Sequence, residues 1–148
     1  MVRSIMLAEM LIACTIAAES IGEGPPGREA VASVMFKRSQ DCAIPITQVC
    51  LQPAQFSCWI KGGEKFAVME GRAKKWRKES PESWRHCVEL ARQLNEGRFV
   101  PMGGDWNHYY NPSKASPFWA KKLTGKVKIG NHVFGRIENE KPVGKRLK

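Results

Sequence analysis

A chain of 148 residues, 43% hydrophobic and 26% charged, has enough apolar content for one compact core, which excludes a disordered polymer. No internal repeat or low-complexity tract divides it. Its 24 Lys and Arg against 14 Asp and Glu give a net charge of +10, a balance that attracts polyanions (nucleic acid, an anionic membrane surface or a bacterial wall polymer) or simply keeps a basic surface solvated; charge alone does not choose among these.

Arg3 and the apolar run from Ile5 to Ala18 have the outline of a signal peptide, with Ala17-Ala18 mimicking a cleavage site. Two features oppose that reading. Glu9 interrupts the run, and Leu7, Met10, Leu11, Cys14, Ala17 and Ala18 fall on one helical face. The segment is also too short and too charged to span a membrane. The spacing predicts a first core helix from about Ser4 to Ala18, broken by Gly22, Gly24, Pro25, Pro26 and Gly27. A second helix starts near Pro26, carries Val31, Val34 and Met35 inward, and ends near Arg38. A short element bearing Val49 and Leu51 follows, and Gln52-Pro53 breaks the chain again. Lys61 to Glu79 reads as a basic, glycine-containing connector. The next helix has Ser80 as N-cap, Pro81 in its first turn, Glu82 at its positive end and Gly97 as its stop. Trp84, Cys87, Val88, Ala91 and Leu94 form its apolar stripe.

From Phe99 to Arg136 the chain is rich in Gly, Pro, Asn and aromatic residues. Val127, Ile129, Val133 and Phe134 predict short strands around a Gly130-Asn131 turn. The architecture expected is α+β: helices first, then an irregular lobe with a small β-hairpin. Residues 1–138 read as one catalytic domain and 139–148 as a basic mobile tail holding Lys141, Lys145, Arg146 and Lys148. The five cysteines are odd in number and form no CxxC pair. Cys14 and Cys87 sit in apolar helical patterns, and all five are expected to be reduced.

Glu19 is the most informative carboxylate. It follows an apolar helix directly and precedes a glycine-rich break. Poor solvation favours the protonated form of a carboxyl in such a place, which is what a glycosidic leaving oxygen needs from a general acid. The same position would also let Glu19 simply cap the next helix. Glu23 would share its face if the helix continued, and so either assists or supports the turn. A second cluster runs from Trp106 through Asn107, His108, Tyr109 and Tyr110 to Asn111-Pro112. Aromatic faces stack on sugar rings, and Asn or His reaches hydroxyl and acetamido groups; some of these aromatics are expected to be core. The histidines His86, His108 and His132 lack HExxH or HxxxH spacing, so no metal is expected. No P-loop, dinucleotide fingerprint or GxSxG elbow occurs.

Three blocks of this chain resemble the SleB/CwlJ-type cell-wall hydrolases, the spore cortex-lytic family. The first is Ala18-Glu19-Ser20-Ile21-Gly22-Glu23 with Gly27, Ala30 to Val34 and Arg38. The second is Val49 through Gln55-Phe56-Ser57. The third is His108-Tyr109-Tyr110-Asn111-Pro112, then Ala115 to Pro117, Trp119-Ala120, Ile129 to His132 and Phe134. The resemblance implies a single lysozyme-like domain, mainly helical, and lytic-transglycosylase cleavage of peptidoglycan between N-acetylmuramic acid and N-acetylglucosamine. It puts Glu19 at the family's proposed acid, with Glu23 as possible assistant and Gln55, His108, Tyr109, Tyr110, Asn111 and Trp119 as substrate contacts. No cofactor is implied. Ile21 stands where the family has Arg and Lys37 where it has Asn, which touches substrate contacts rather than the acid. A basic single domain without a convincing signal peptide fits a phage or prophage endolysin, held in the cytoplasm as a monomer until release to the wall. No nucleic-acid partner and no membrane insertion are expected. The competing readings are a zinc amidase of the muramyl–peptide bond and a basic nucleic-acid binder.

Overall fold

The computed structural model describes residues 6–52 and 66–138. Helix α1 spans Leu7–Glu19, α2 Pro25–Cys42, α3 Ile46–Leu51, α4 Phe66–Glu79 and α5 Pro81–Glu96. Three strands follow: β1 His108–Tyr110, β2 Thr124–Ile129 and β3 His132–Arg136. The basic tail, Gln55 and Cys58 lie outside the described residues.

Helix α1 is the central rod, packed against each of the other four helices. Glu9, Met10 and the whole run Ile12 to Ile16 are buried, whereas Leu7 is 63% exposed. The single apolar face expected from the spacing is therefore corrected to burial around most of the circumference. A helix covered on all sides must be apolar on all sides, and this is why the segment imitates a signal peptide. Glu9 is fully buried and lies 3.5 Å from Arg92 Nε on α5.

Two further expectations are corrected. Helix α2 runs past Arg38 to Cys42, because no helix breaker intervenes before Ala43 takes a left-handed conformation. The supposed connector over Lys61 to Glu79 is helical from Phe66 on. Met69 and Ala73 are buried, and Trp76 packs against the same core. Those residues recur at helical spacing, while Gly71 costs an exposed helix only about 1 kcal/mol relative to Ala. Helix α5 fits its stripe: Trp84, Cys87, Ala91 and Leu94 are buried, joined by Leu90, and Gly97 closes it at φ 73°. Ser80 makes no side-chain cap bond; its carbonyl accepts from Trp84 N at 2.9 Å.

The sheet is antiparallel, ordered β1-β3-β2. The hairpin sits where Gly130-Asn131 marks it, with Gly130 at φ 60°, a value that a two-residue turn needs and glycine supplies without strain. Strand β1 was not expected. It is three residues long and is held beside β3 by Asn107, whose amide mimics a strand: Oδ1 accepts from Ile137 N at 2.9 Å and Nδ2 donates to Ile137 O at 3.3 Å. Arg38 Nε donates to Asn107 O at 2.9 Å and so ties α2 to this lobe. Phe134, fully buried, carries the sheet into the helical core against Trp106, with ring centroids 5.3 Å apart.

Among the described residues no helix is long and apolar enough to cross a membrane. Cys14, Cys42, Cys50 and Cys87 are free thiols. Burial pushes those of Cys14, Cys50 and Cys87 up to about 12, leaving almost no thiolate at neutral pH. Alkylation of the native protein with iodoacetamide at pH 7.5 (~1 h) should therefore spare these three and modify the part-exposed Cys42. Peptide mapping by mass spectrometry reads the result, and rapid native labelling of Cys50 would contradict the packing.

Candidate active site

Glu19 is the last residue of α1. The helix closes beneath it, because Ser20 Oγ donates to Ile16 O at 2.6 Å and Ser20 N to the same carbonyl at 3.0 Å. The chain then turns through Ile21 and Gly22, with Glu23 N donating to Ser20 O at 2.9 Å. The half-buried Glu19 carboxylate points at the sheet and accepts a hydrogen bond from the Tyr109 hydroxyl.

Tyr109 is fixed by strand geometry. It lies directly opposite Phe134 in the β1–β3 register, and the two rings stack with centroids 5.3 Å apart. His132, two residues before Phe134 on the same face, meets the Tyr109 ring edge-on at 5.4 Å. Glu23 holds His132 in turn: its Oε1 lies 2.8 Å from His132 Nδ1 and accepts from Asn131 N at 2.9 Å. The Glu23 side chain is only 5% exposed. Two glycines make room for it. A Cβ on Gly27 would fall 2.5 Å from Glu23 Cβ, and one on Gly130 would fall 2.0 Å from Glu23 Oε2. The two carboxylates therefore meet one sheet face through different partners, Glu19 through Tyr109 and Glu23 through His132 and the hairpin turn.

Strand alternation splits the aromatic cluster. His108 and Tyr110 point to the opposite face from Tyr109, and both pack edge-on against Trp119, with centroids 4.8 and 5.7 Å away. His108 is buried and its Nδ1 lies 2.9 Å from Asn107 Oδ1. Asn111 Oδ1 accepts from Ser113 N at 3.0 Å and from Ser113 Oγ at 2.7 Å, so this oxygen shapes the turn after β1. Gln55 lies outside the described residues. The sequence reading missed His132 as a site residue, although it lies within the quoted Ile129 to His132 block. It placed Asn107 in the sugar-contacting cluster without its structural part, the bonds to Ile137 that hold β1, and it missed Arg28. Arg28, buried at the start of α2, donates from Nη1 to Glu23 O at 3.1 Å and so braces the turn that follows Glu19. A buried Arg four residues into a helix has no sequence signal of its own.

Each of the three histidines has separate partners, His86 with Arg28 and Glu29, His108 with Asn107, and His132 with Glu23. Among the described residues no three His, Cys, Asp or Glu side chains gather as a metal site.

The fold is that of a wall-degrading class of protein. The chain belongs to the Cell Wall Hydrolase family, which it matches over residues 22–135, a span that begins just after Glu19. Its fold is similar to the catalytic domain of the germination-specific lytic transglycosylase SleB from Bacillus anthracis, at 22% identity and TM-score 0.60, covering 92% of this chain and 100% of that one. It is also similar to the catalytic domain of the Bacillus cereus SleB protein, at 19% identity and TM-score 0.57, covering 91% and 94% of the two chains. No curated protein matches at the level of sequence.

Proposed function

We propose that this protein is a lytic transglycosylase of bacterial peptidoglycan, cleaving the β-1,4 bond between N-acetylmuramic acid and N-acetylglucosamine with Glu19 as the sole acid and base. The observation that carries the reading is the division of labour between the carboxylates. Glu23 Oε1 is engaged by Asn131 N and His132, and the group is nearly buried. Glu19 ends a helix at a turn, half-buried, with the Tyr109 hydroxyl to orient it. One mobile proton at one carboxyl is what this reaction needs, whereas ordinary glycosidases use two carboxylates flanking the bond.

In the proposed sequence Glu19 donates its proton to the glycosidic oxygen as the bond from the muramyl anomeric carbon breaks. The muramyl 6-hydroxyl oxygen attacks that carbon, forming the 1,6-anhydro ring. The proton of this hydroxyl passes to the Glu19 carboxylate, which regenerates the acid. Tyr109 holds the carboxyl in place, and His132 with Glu23 and Phe134 holds Tyr109. The net charge of +10 draws the enzyme to an anionic wall. Service in phage or prophage lysis, from the cytoplasm, is part of the same proposal.

Digestion of purified peptidoglycan followed by mass spectrometry tests the bond. The expected products are muropeptides ending in 1,6-anhydro-N-acetylmuramic acid. Reducing ends would replace the 6-hydroxyl by water as nucleophile, and free stem peptides would transfer the protein to the amidase reading.

A further inference from the structure

Behind the turn that follows Glu19 lies a cavity of about 120 Å³, between the end of α1, the start of α2 and the α4–α5 junction. Its deep wall is apolar, made by Trp76, Trp84 and Cys87, with the two indoles stacked at 6.0 Å. Ser80 and Ser83 bring hydroxyls to it, and Ile21, 70% exposed, belongs to its rim. Arg28 supplies the charge.

Arg28 is only 8% exposed. Its Nε donates to His86 Nδ1 at 2.9 Å, and Nη1 donates to Glu23 O at 3.1 Å and to Ser83 Oγ at 3.2 Å. Those bonds use three of the five N–H groups of a guanidinium. Nη2 has no protein partner among the described residues, and no carboxylate of those residues forms an ion pair with Arg28. His86 does not neutralise it either. Burial first, then the Arg28 charge, lowers the His86 pKa, so the ring is neutral and accepts at Nδ1. The proton then sits on Nε2, 3.6 Å from Glu29 Oε1, which is where that carboxylate is engaged. A buried cation without a counter-charge is costly to keep, and its cost falls when an anion is bound. The two N–H groups left on Nη2 are charge-assisted donors, of the kind that bind a carboxylate oxygen strongly.

We propose that this cavity is a subsite for a substrate carboxylate, with Arg28 Nη2 and the Ser80 and Ser83 hydroxyls as donors and the Trp76–Trp84 wall against its short apolar arm. This rests on the reading of peptidoglycan as substrate, whose carboxylates come from stem-peptide glutamate or, where the peptide is absent, from the muramyl lactyl group. The subsite lies on the helical side of the turn Ser20–Glu23, so a carboxylate held there anchors the polymer next to Glu19 without touching the reacting bond. It gives the enzyme a means to sense whether a muramyl residue carries its acidic substituent.

Binding is tested apart from cleavage, by ¹H–¹⁵N NMR titration of the full chain with L-alanyl-D-glutamic acid, its diamide, and N-acetylmuramic acid. The dipeptide is expected to shift the Ser83 amide, the Trp84 indole and the Arg28 Nε signals saturably, and the diamide to leave them in place. Saturation by N-acetylmuramic acid alone would assign the lactyl group as the source. Arg28→Gln should weaken binding by at least about tenfold, the usual worth of hydrogen bonds to a charged group. Because Arg28 also braces Glu23 O, a second variant leaves it intact: Ser80→Trp fills the cavity mouth from an exposed position without a side-chain cap bond, and should abolish the shifts. Equal shifts with acid and diamide, or unchanged binding in both variants, would overturn the subsite. A chain that binds the acid yet releases no anhydro product would overturn the proposed reaction and leave the subsite standing.

Discussion

Glu19→Gln is expected to reduce lysis of purified cell walls by at least about a hundredfold, the scale on which a positioned general acid contributes. The amide keeps the shape of the side chain, and its oxygen still accepts the Tyr109 hydroxyl. What it lacks is a proton to give to the glycosidic oxygen and a basic oxygen to take the muramyl proton back. The melting temperature should therefore hardly move while turbidity loss stops. Tyr109→Phe removes the orienting hydroxyl and keeps the ring on Phe134, so it should cost less than Glu19→Gln, again without unfolding. Glu23→Gln keeps an acceptor for Asn131 N and should cost less still. A lytic Glu19→Gln beside a dead Glu23→Gln would exchange the two roles.

Much of the fold was legible because its signals are local. Pro81, the 3.6-residue stripe and Gly97 delimit α5, and Gly130-Asn131 marks the hairpin turn. The elements that escaped depend on distant partners. Strand β1 exists because Asn107 and β3 complete its hydrogen bonds, and no pattern within three residues announces that. Helix α4 was hidden by its exposed lysines and Gly71, although Met69 and Ala73 already stand at helical spacing. At the site, Glu19 was visible as a carboxylate at the join of an apolar run and a glycine-rich break. The partition of His108, Tyr109 and Tyr110 between two faces was implicit in the two-residue period of a strand, but required knowing that β1 is one. The clamp on Glu23 joins residues more than a hundred positions apart, so neither composition nor spacing encodes it.

That clamp carries the second large effect. Gly130→Ala should destabilise the protein by about 3–5 kcal/mol, from two sources. An alanine held at φ 60° is disfavoured by about 1–2 kcal/mol. The new methyl would also lie 2.0 Å from Glu23 Oε2. A carboxylate at the end of a flexible chain ordinarily swings aside at little cost, but this one cannot do so freely. Its stem passes against Gly27, where even a Cβ has no room, and swinging away breaks its bonds to Asn131 N and His132. Hydrogen bonds to a charged group are worth about 1.5–3 kcal/mol. For a domain of this size the loss corresponds to a fall in melting temperature on the order of 10 °C. The steric share can be separated by a double-mutant cycle. In a Glu23→Ala background no carboxylate meets the added methyl, so Gly130→Ala should then cost only its backbone part, about 1–2 kcal/mol. Calorimetric melting of the four proteins reads the coupling directly. Strictly additive losses would mean that Glu23 yields to the methyl without strain, and that the hairpin turn, His132 and through it Tyr109 are held by something other than this carboxylate.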